Sequence, residues 1–299
     1  VKQIFSRRIF RTGLVMLILA WCIGPGMQAG ERPDRSHGLL WEISRPGQAA
    51  SHLFGTIHLE NPEVLQLPEP VQQAFDNADH VVLEMLLDMD AMIYSSAAML
   101  MTDGRLLSEI VGPDLFERAA KAVQARGIPA LVLERMKPWA AAITLSMPAQ
   151  GTGQVLDMTL HRKAQAAGVK VSGLETIREQ LDVFDTLPET DQVALLEEAV
   201  DSSAEIDAIH ARLLAAWLRR DLAELQAIND EMLESVDTRL ARDFEHRLLD
   251  ERNRRMAVRM QPYLRSGNAF VAVGALHLPG ETGLLNLLEQ RGYAVRPVY

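Results

Sequence analysis

His52-Leu53-Phe54-Gly55-Thr56-Ile57-His58 and Ala269-Phe270-Val271-Ala272-Val273-Gly274-Ala275-Leu276-His277 end in the same phrase. In each, an apolar run leads into Gly-x-x-His, and Leu follows at once. A short apolar run bounded by turn signals reads as a buried strand, so each histidine is expected where a strand leaves a sheet. In open α/β sheets ligands collect at the carboxyl ends of the strands. Two imidazoles brought there from opposite ends of the chain would make a site. A glycine three residues before each histidine leaves room for a second backbone or a ligand to approach.

Leu40-Trp41-Glu42-Ile43 and His52-Leu53-Phe54-Gly55 flank Arg45-Pro46-Gly47-Gln48 and predict a hairpin. Val81-Val82-Leu83-Glu84 and Val169-Lys170-Val171-Ser172-Gly173-Leu174-Glu175 read as strands that end on carboxylates, and Tyr293-Ala294-Val295-Arg296-Pro297-Val298 reads as a last strand. Helical patterns lie between them, at 68–78, 88–101, 113–126, 129–147, 154–167 and 282–291, with a break at Gly151-Thr152-Gly153. From 188 to 266 the chain is almost wholly helical, with weak breaks near Asp221 and Val236. Strands alternating with helices argue for an α/β fold with a central mixed sheet. No Pro/Gly/Ser-rich linker divides it, so 30–299 is read as one domain with a large helical insertion at about 188–266.

A 299-residue chain that is 48% hydrophobic can bury one large core. Lys2, Arg7, Arg8 and Arg11 precede an apolar stretch at 13–23, and Met27-Gln28-Ala29 offers a small-residue cleavage site. Residues 1–29 therefore read as a signal peptide, which directs the protein to the periplasm or to secretion. An uncleaved anchor is the alternative. Ser6-Arg7-Arg8-Ile9-Phe10 reads equally as a twin-arginine signal or an ordinary basic segment. Losing 1–29 removes four cations and no acid, taking the formal charge from −10 to −14. So acidic a chain excludes nucleic acid as a natural partner. Cys22, the only cysteine, leaves with the signal, so no disulfide or thiolate chemistry remains.

Four strand ends thus carry His58, Glu84, Glu175 and His277. Polar side chains after buried runs are costly unless paired or used. Two imidazoles with one or two carboxylates suit a divalent metal that keeps open positions, and equally a metal-free site with histidine as base and glutamate as its orienter. Glu175 reads as well as a cap of the next helix, which begins after Thr176. Arg252-Asn253-Arg254-Arg255 is the sharpest basic cluster outside the signal. It reads either as a solvated helix face or as a group under the sheet ends, where Arg252 could hold a carboxylate or an oxyanion. Met85, Met89 and Met92 stand at helical spacing and predict a core face, or a pliable apolar groove. His37, His52, His80, His161, His210 and His246 have structural settings. No His-Glu-x-x-His, Gly-x-Ser-x-Gly or phosphate loop occurs.

Together these residues resemble the TraB/GumN family. The likeness rests on Leu53-Phe54-Gly55-Thr56-Ile57-His58, Val82-Leu83-Glu84, Ser172-Gly173-Leu174-Glu175-Thr176 with Gln180, and Arg252-Asn253. It continues through Phe270 to Leu278, then Gly280, Gly283-Leu284-Leu285, Leu288, Gly292-Tyr293 and Val295, and so runs over about 39–299. That family is grouped with the Tiki proteases, which are metal-dependent, and with erythromycin esterases. The resemblance implies an α/β sheet whose two halves each carry a Gly-x-x-His with a cleft between them. It implies site positions at His58, Glu84 and His277, and a carry-over to Arg252 and Asn253. Erythromycin esterases place a glutamate soon after the first glycine; Thr56 and Ile57 stand here instead, against macrolide esterase activity.

The expectation is an exported, metal-dependent hydrolase, a peptidase of Tiki-like type acting on a peptide or small molecule. His58, Glu84 and His277 would bind manganese, cobalt or zinc, with Glu175, Arg252 and Asn253 completing the catalytic set. The alternative is a non-catalytic protein that sequesters haem or a peptide. No stable membrane insertion is expected once the signal is removed.

Overall fold

Continuous apolar runs form strands that can be covered on both faces, and in a computed structural model of the chain six segments pair into one sheet. The structure describes residues 34–86, 88–148, 154–234 and 238–299. The signal segment 1–29, the break at Gly151-Thr152-Gly153 and the break near Val236 lie outside them. The strands are β1 (Leu40–Ser44), β2 (Ser51–Thr56), β3 (His80–Met85), β4 (Lys170–Glu175), β5 (Ala269–Gly274) and β6 (Ala294–Pro297). Their order is β4-β3-β5-β2-β1-β6. β2, β5, β3 and β4 run parallel, and β1 is antiparallel to both β2 and β6. This is the mixed α/β sheet expected, with the predicted hairpin as β1–β2.

The chain's far ends meet at the centre. β2 and β5 are direct neighbours, with Gly55 opposite Val273 and Thr56 opposite Gly274. The two Gly-x-x-His phrases therefore leave the sheet side by side at its carboxyl edge. Gly55 allows a close approach there. A Cβ on it would stand 2.8 Å from Leu278 Cδ1 and 3.1 Å from Ala275 Cα, so the turn of the second phrase packs onto the glycine of the first. Trp217 Nε1 donates to the Gly55 carbonyl at 3.0 Å and closes the back of this junction.

Fifteen α-helices are assigned among the described residues. Between β2 and β3 lie α1 (Pro62–Leu65) and α2 (Glu69–Asp76). Between β3 and β4 lie α3 (Met89–Ala98), α4 (Leu107–Gln124), α5 (Ala130–Leu133), α6 (Pro138–Ser146) and α7 (Leu156–Ala166). Between β4 and β5 lie α8 (Ile177–Asp185), α9 (Glu189–Asp201), α10 (Ile206–Leu218), α11 (Leu222–Glu234), α12 (Thr238–Glu245), α13 (Glu251–Arg259) and α14 (Gln261–Ser266). α15 (Leu284–Gln290) precedes β6. Among the described residues no helix is long and apolar enough to cross a membrane.

Two cores form. One joins the sheet to its covering helices, with Trp41, Phe54 and Phe270 at its centre. The other is wholly helical and packs α4 and α6 on α9 around Trp139 and Leu145. Helical excursions thus leave the sheet twice, after β3 and after β4.

Several local expectations are corrected. The helix predicted over 129–147 is two, because Pro138 starts a new one after Lys137, which takes an extended conformation (φ −65, ψ 151). The methionine row is not a core face: Met85 ends β3, while Met89 and Met92 on α3 are exposed. The spacing crossed an element boundary at Asp88, whose side chain caps α3. Glu175 does not cap α8. Thr176 does, in a reciprocal pair with Glu179.

Candidate functional site

At the carboxyl edge the sheet delivers its polar residues in register. Met85 of β3 lies opposite Glu175 of β4. Glu84, one residue earlier, turns to β5 and accepts the Gly274 N–H on Oε2 at 2.8 Å. Gly274 leaves little space on that side, since a Cβ would lie 3.4 Å from the same oxygen. Gln180, one turn into α8, donates to Glu84 Oε1 at 3.0 Å.

α13 closes the group from above. Arg252 donates from Nε to Glu175 Oε2 at 2.9 Å and from Nη2 to Glu84 Oε1, while Nη1 reaches the Leu248 carbonyl at 3.3 Å. Arg255 Nη2 adds a bond to Glu175 Oε1 at 2.8 Å. Glu84, Glu175 and Arg252 are all buried. Buried charges persist only when paired and hydrogen-bonded, and two carboxylates against two guanidiniums satisfy that condition. Burial alone would raise the Glu84 carboxyl. The charges of His277, Arg252 and His58 and the Gly274 N–H overcome it and hold the group at about 2. Arg252 is therefore committed to protein carboxylates, and the expected grip on a substrate carboxylate is not what its geometry serves.

Each histidine has an oxygen partner at Nδ1, but one ring is neutral and the other cationic at pH 7. His277 lies in the 3-10 turn Ala275–His277 just past β5, and its Nδ1 is 2.7 Å from Asn253 Oδ1. With that amide oxygen accepting, Nδ1 carries the proton and Nε2 presents a lone pair to Glu84 Oε2, 3.8 Å away. Burial pushes the His277 imidazole down to about 4, against the pull of Glu84, so it is neutral at pH 7. His58 lies two residues past β2, with half its imidazole open to solvent. Its Nδ1 is 2.9 Å from Asp157 Oδ2. The Asp157 charge raises its pKa to about 9, and solvent on the open half screens part of that effect.

Asp157 is the site residue that sequence reasoning missed. It sits in the first turn of α7, is buried, and also accepts from Thr56 Oγ1 at 3.0 Å. The signal available was an acid beginning a helix with Thr56 in the first motif, and nothing in the spacing linked the two.

In His277 an oxygen partner engages Nδ1 and leaves Nε2 for the site, the arrangement that orients metal-ligating imidazoles, and in His58 the Asp157 carboxylate stands 2.9 Å from Nδ1. Glu84 Oε2 and His277 Nε2 are two acceptors facing each other across a gap that two ligand bonds of about 2.0–2.2 Å would span. Their donor chemistry fits a divalent cation. Among the described residues, His58, Glu84 and His277 are not gathered into a ready group of three ligands. His58 stands at the mouth and the other two stand inside.

The model of the TraB/PrgY/gumN family matches residues 39–297. Metalloprotease TIKI1 of Danio rerio is 23% identical over 94% of this chain and 68% of its own length. Metalloprotease TIKI2 of the same organism is 25% identical over 87% of this chain and 60% of its own. The uncharacterized protein YbaP of Shigella flexneri is 24% identical over 83% of this chain and 91% of its own. The chain thus spans about two thirds of the length of the two TIKI relatives. No solved structure matches it.

Proposed function

This chain belongs to the TraB/PrgY/gumN family, and from that premise we propose that it is a metal-dependent hydrolase that cleaves peptides. The observation that carries the reading is the buried Glu84–His277 pair, two acceptors 3.8 Å apart, each pinned from behind. The names of the TIKI relatives support protease chemistry and a metal. Glu84 and His277 would hold the ion, and His58 would have to move in from the mouth to join them as a third ligand. A bound divalent cation lowers the pKa of a water and polarises a carbonyl.

The remaining residues prepare the site. Asn253 sets the ring plane of His277, and Asp157 does the same for His58. Arg252 and Gln180 keep Glu84 ionised and fixed, and Glu175 with Arg255 balances the buried guanidinium. The basic and apolar segment before residue 29 supports an exported protein, periplasmic or secreted.

The test is cleavage of a defined peptide library by purified protein loaded in turn with manganese, cobalt and zinc, read by mass spectrometry. Cleavage with at least one metal, lost in His277→Ala and His58→Ala, is expected. No cleavage with any of the three, or undiminished cleavage by both variants, rejects the reading.

A further inference from the structure

The helical layer contains a cavity of about 600 Å³ that the site does not use. Its volume lies within the range of about 300–1,000 Å³ typical of ligand pockets. Its interior is aromatic and aliphatic. Phe184 stacks on Trp139 at 5.8 Å between ring centroids and tilts against Phe244 at 5.5 Å, and Ile143, Ile209 and Leu248 complete the wall.

The polar lining is one-sided. Glu198, Asp201, Glu205, Glu231 and Glu245 line it beside Arg212, whose two Nη atoms bond Glu231 at 2.9 and 2.6 Å; Asp201 pairs with Arg118 and Glu198 accepts from Ser202 at 2.9 Å, so five acids stand against two guanidiniums. Glu245 is pushed up by burial and by the neighbouring Asp230 and Asp250. An apolar chamber with surplus negative charge complements an apolar group carried on a cationic chain.

The cavity and the site are linked through two helical segments. On α8, Gln180 bonds Glu84, and Phe184 lies one turn further on the same face. Before α13, Leu248 and Leu249 line the cavity from the π-helical turn His246–Asp250. The Leu248 carbonyl takes a hydrogen bond from Arg252 at 3.3 Å. Single π turns within α-helices frequently mark functional positions. Both helices thus present a cavity side chain one turn away from a side chain of the Glu84 network.

We propose that this cavity seats a large apolar side chain of a cationic peptide substrate, beside the Glu84–His277 site. The peptide as occupant rests on the hydrolase reading. The cavity's preference for a bulky apolar group on a cationic chain rests on its own lining.

Binding without turnover separates the two. Fluorescein-labelled lysine-bearing peptides that differ only in a central Phe or Ser would be titrated onto the full chain in chelator, with anisotropy as the readout. A third peptide carries Glu in place of Lys. The Phe peptide is expected to bind at least about tenfold tighter than the Ser peptide, and tighter than the acidic one. Ala199→Phe, which fills the cavity, should erase the Phe preference. Glu205→Lys, which leaves the interior intact, should narrow the gap between the lysine and glutamate peptides. Equal binding of the Phe and Ser peptides, or an undiminished Phe preference in Ala199→Phe, overturns the proposal. The same peptides with metal then test turnover. Phe-dependent binding without cleavage rejects the hydrolase and upholds the cavity, whereas cleavage indifferent to Phe rejects the cavity.

Discussion

Asp157 decides what kind of histidine His58 is. Its carboxylate lies 2.9 Å from Nδ1, is held by Thr56 at 3.0 Å, and raises the imidazole to about 9. Asn253 gives His277 a neutral partner in the same position, and that ring stays uncharged. Asp157→Asn keeps the shape and removes the charge. The His58 pKa, followed by NMR of the imidazole protons in metal-free protein, should fall by at least about one unit. Metal affinity should weaken by roughly ten- to a hundredfold, as losses behind a ligand do. An unchanged His58 titration would show that Asp157 does not govern it. The sequence displayed His58, Glu84, Glu175 and His277 because each ends an apolar run that needs a reason to turn polar. Asp157 was hidden because a carboxylate in the first turn of a helix already has an ordinary explanation, favourable placement at the positive end of the helix dipole.

At the scale of elements, the parallel strands were legible because burial on both faces removes alternation and leaves plain apolar runs such as Ala269–Gly274. Their neighbours were not, since the order β4-β3-β5-β2-β1-β6 is set by which faces pack. The helices were legible where a proline or glycine marks an end: Gly112 breaks α4 with φ 77 just before Pro113, as the reading from Pro113 expected. They were misread where a period crossed a boundary, as at Met85 and Met89. The junction of β2 with the turn after β5 yields a sharp prediction. Gly55→Ala puts a Cβ 2.8 Å from Leu278 and 3.1 Å from the Ala275 backbone, so the turn carrying His277 must shift. Overpacking of this kind costs about 1–3 kcal/mol, which urea unfolding would register, and peptide cleavage should fall with it. Wild-type stability in Gly55→Ala would mean that the two motifs do not lean on each other.

For the whole molecule, the buried ionisable groups at the sheet edge predict how stability follows pH in the metal-free protein. His277 titrates near 6.5 in an unfolded chain and at about 4 when folded, because burial resists its charge. Between those values the unfolded state binds more protons, so stability falls as pH falls. Glu84 extends the loss: its carboxyl is held at about 2, so the stability it contributes is present above its ordinary 4.5 and disappears as pH drops through 2. His58 acts in the other direction. Raised to about 9 by Asp157, it contributes stability below 6.5 that is lost as pH rises through 9, and solvent over half its ring keeps that contribution small. As far as these three groups govern it, stability should therefore peak near pH 6.5, decline gently above it and fall steeply below it. From pH 6.5 to 4 the His277 share amounts to on the order of 3 kcal/mol. Urea midpoints measured in chelator across pH 4–9 would show the acid limb, and His277→Gln, which removes the titrating ring, should flatten it. An acid limb of the same slope in both proteins would place the pH dependence elsewhere in this acidic chain and break the link between the buried imidazole and the fold.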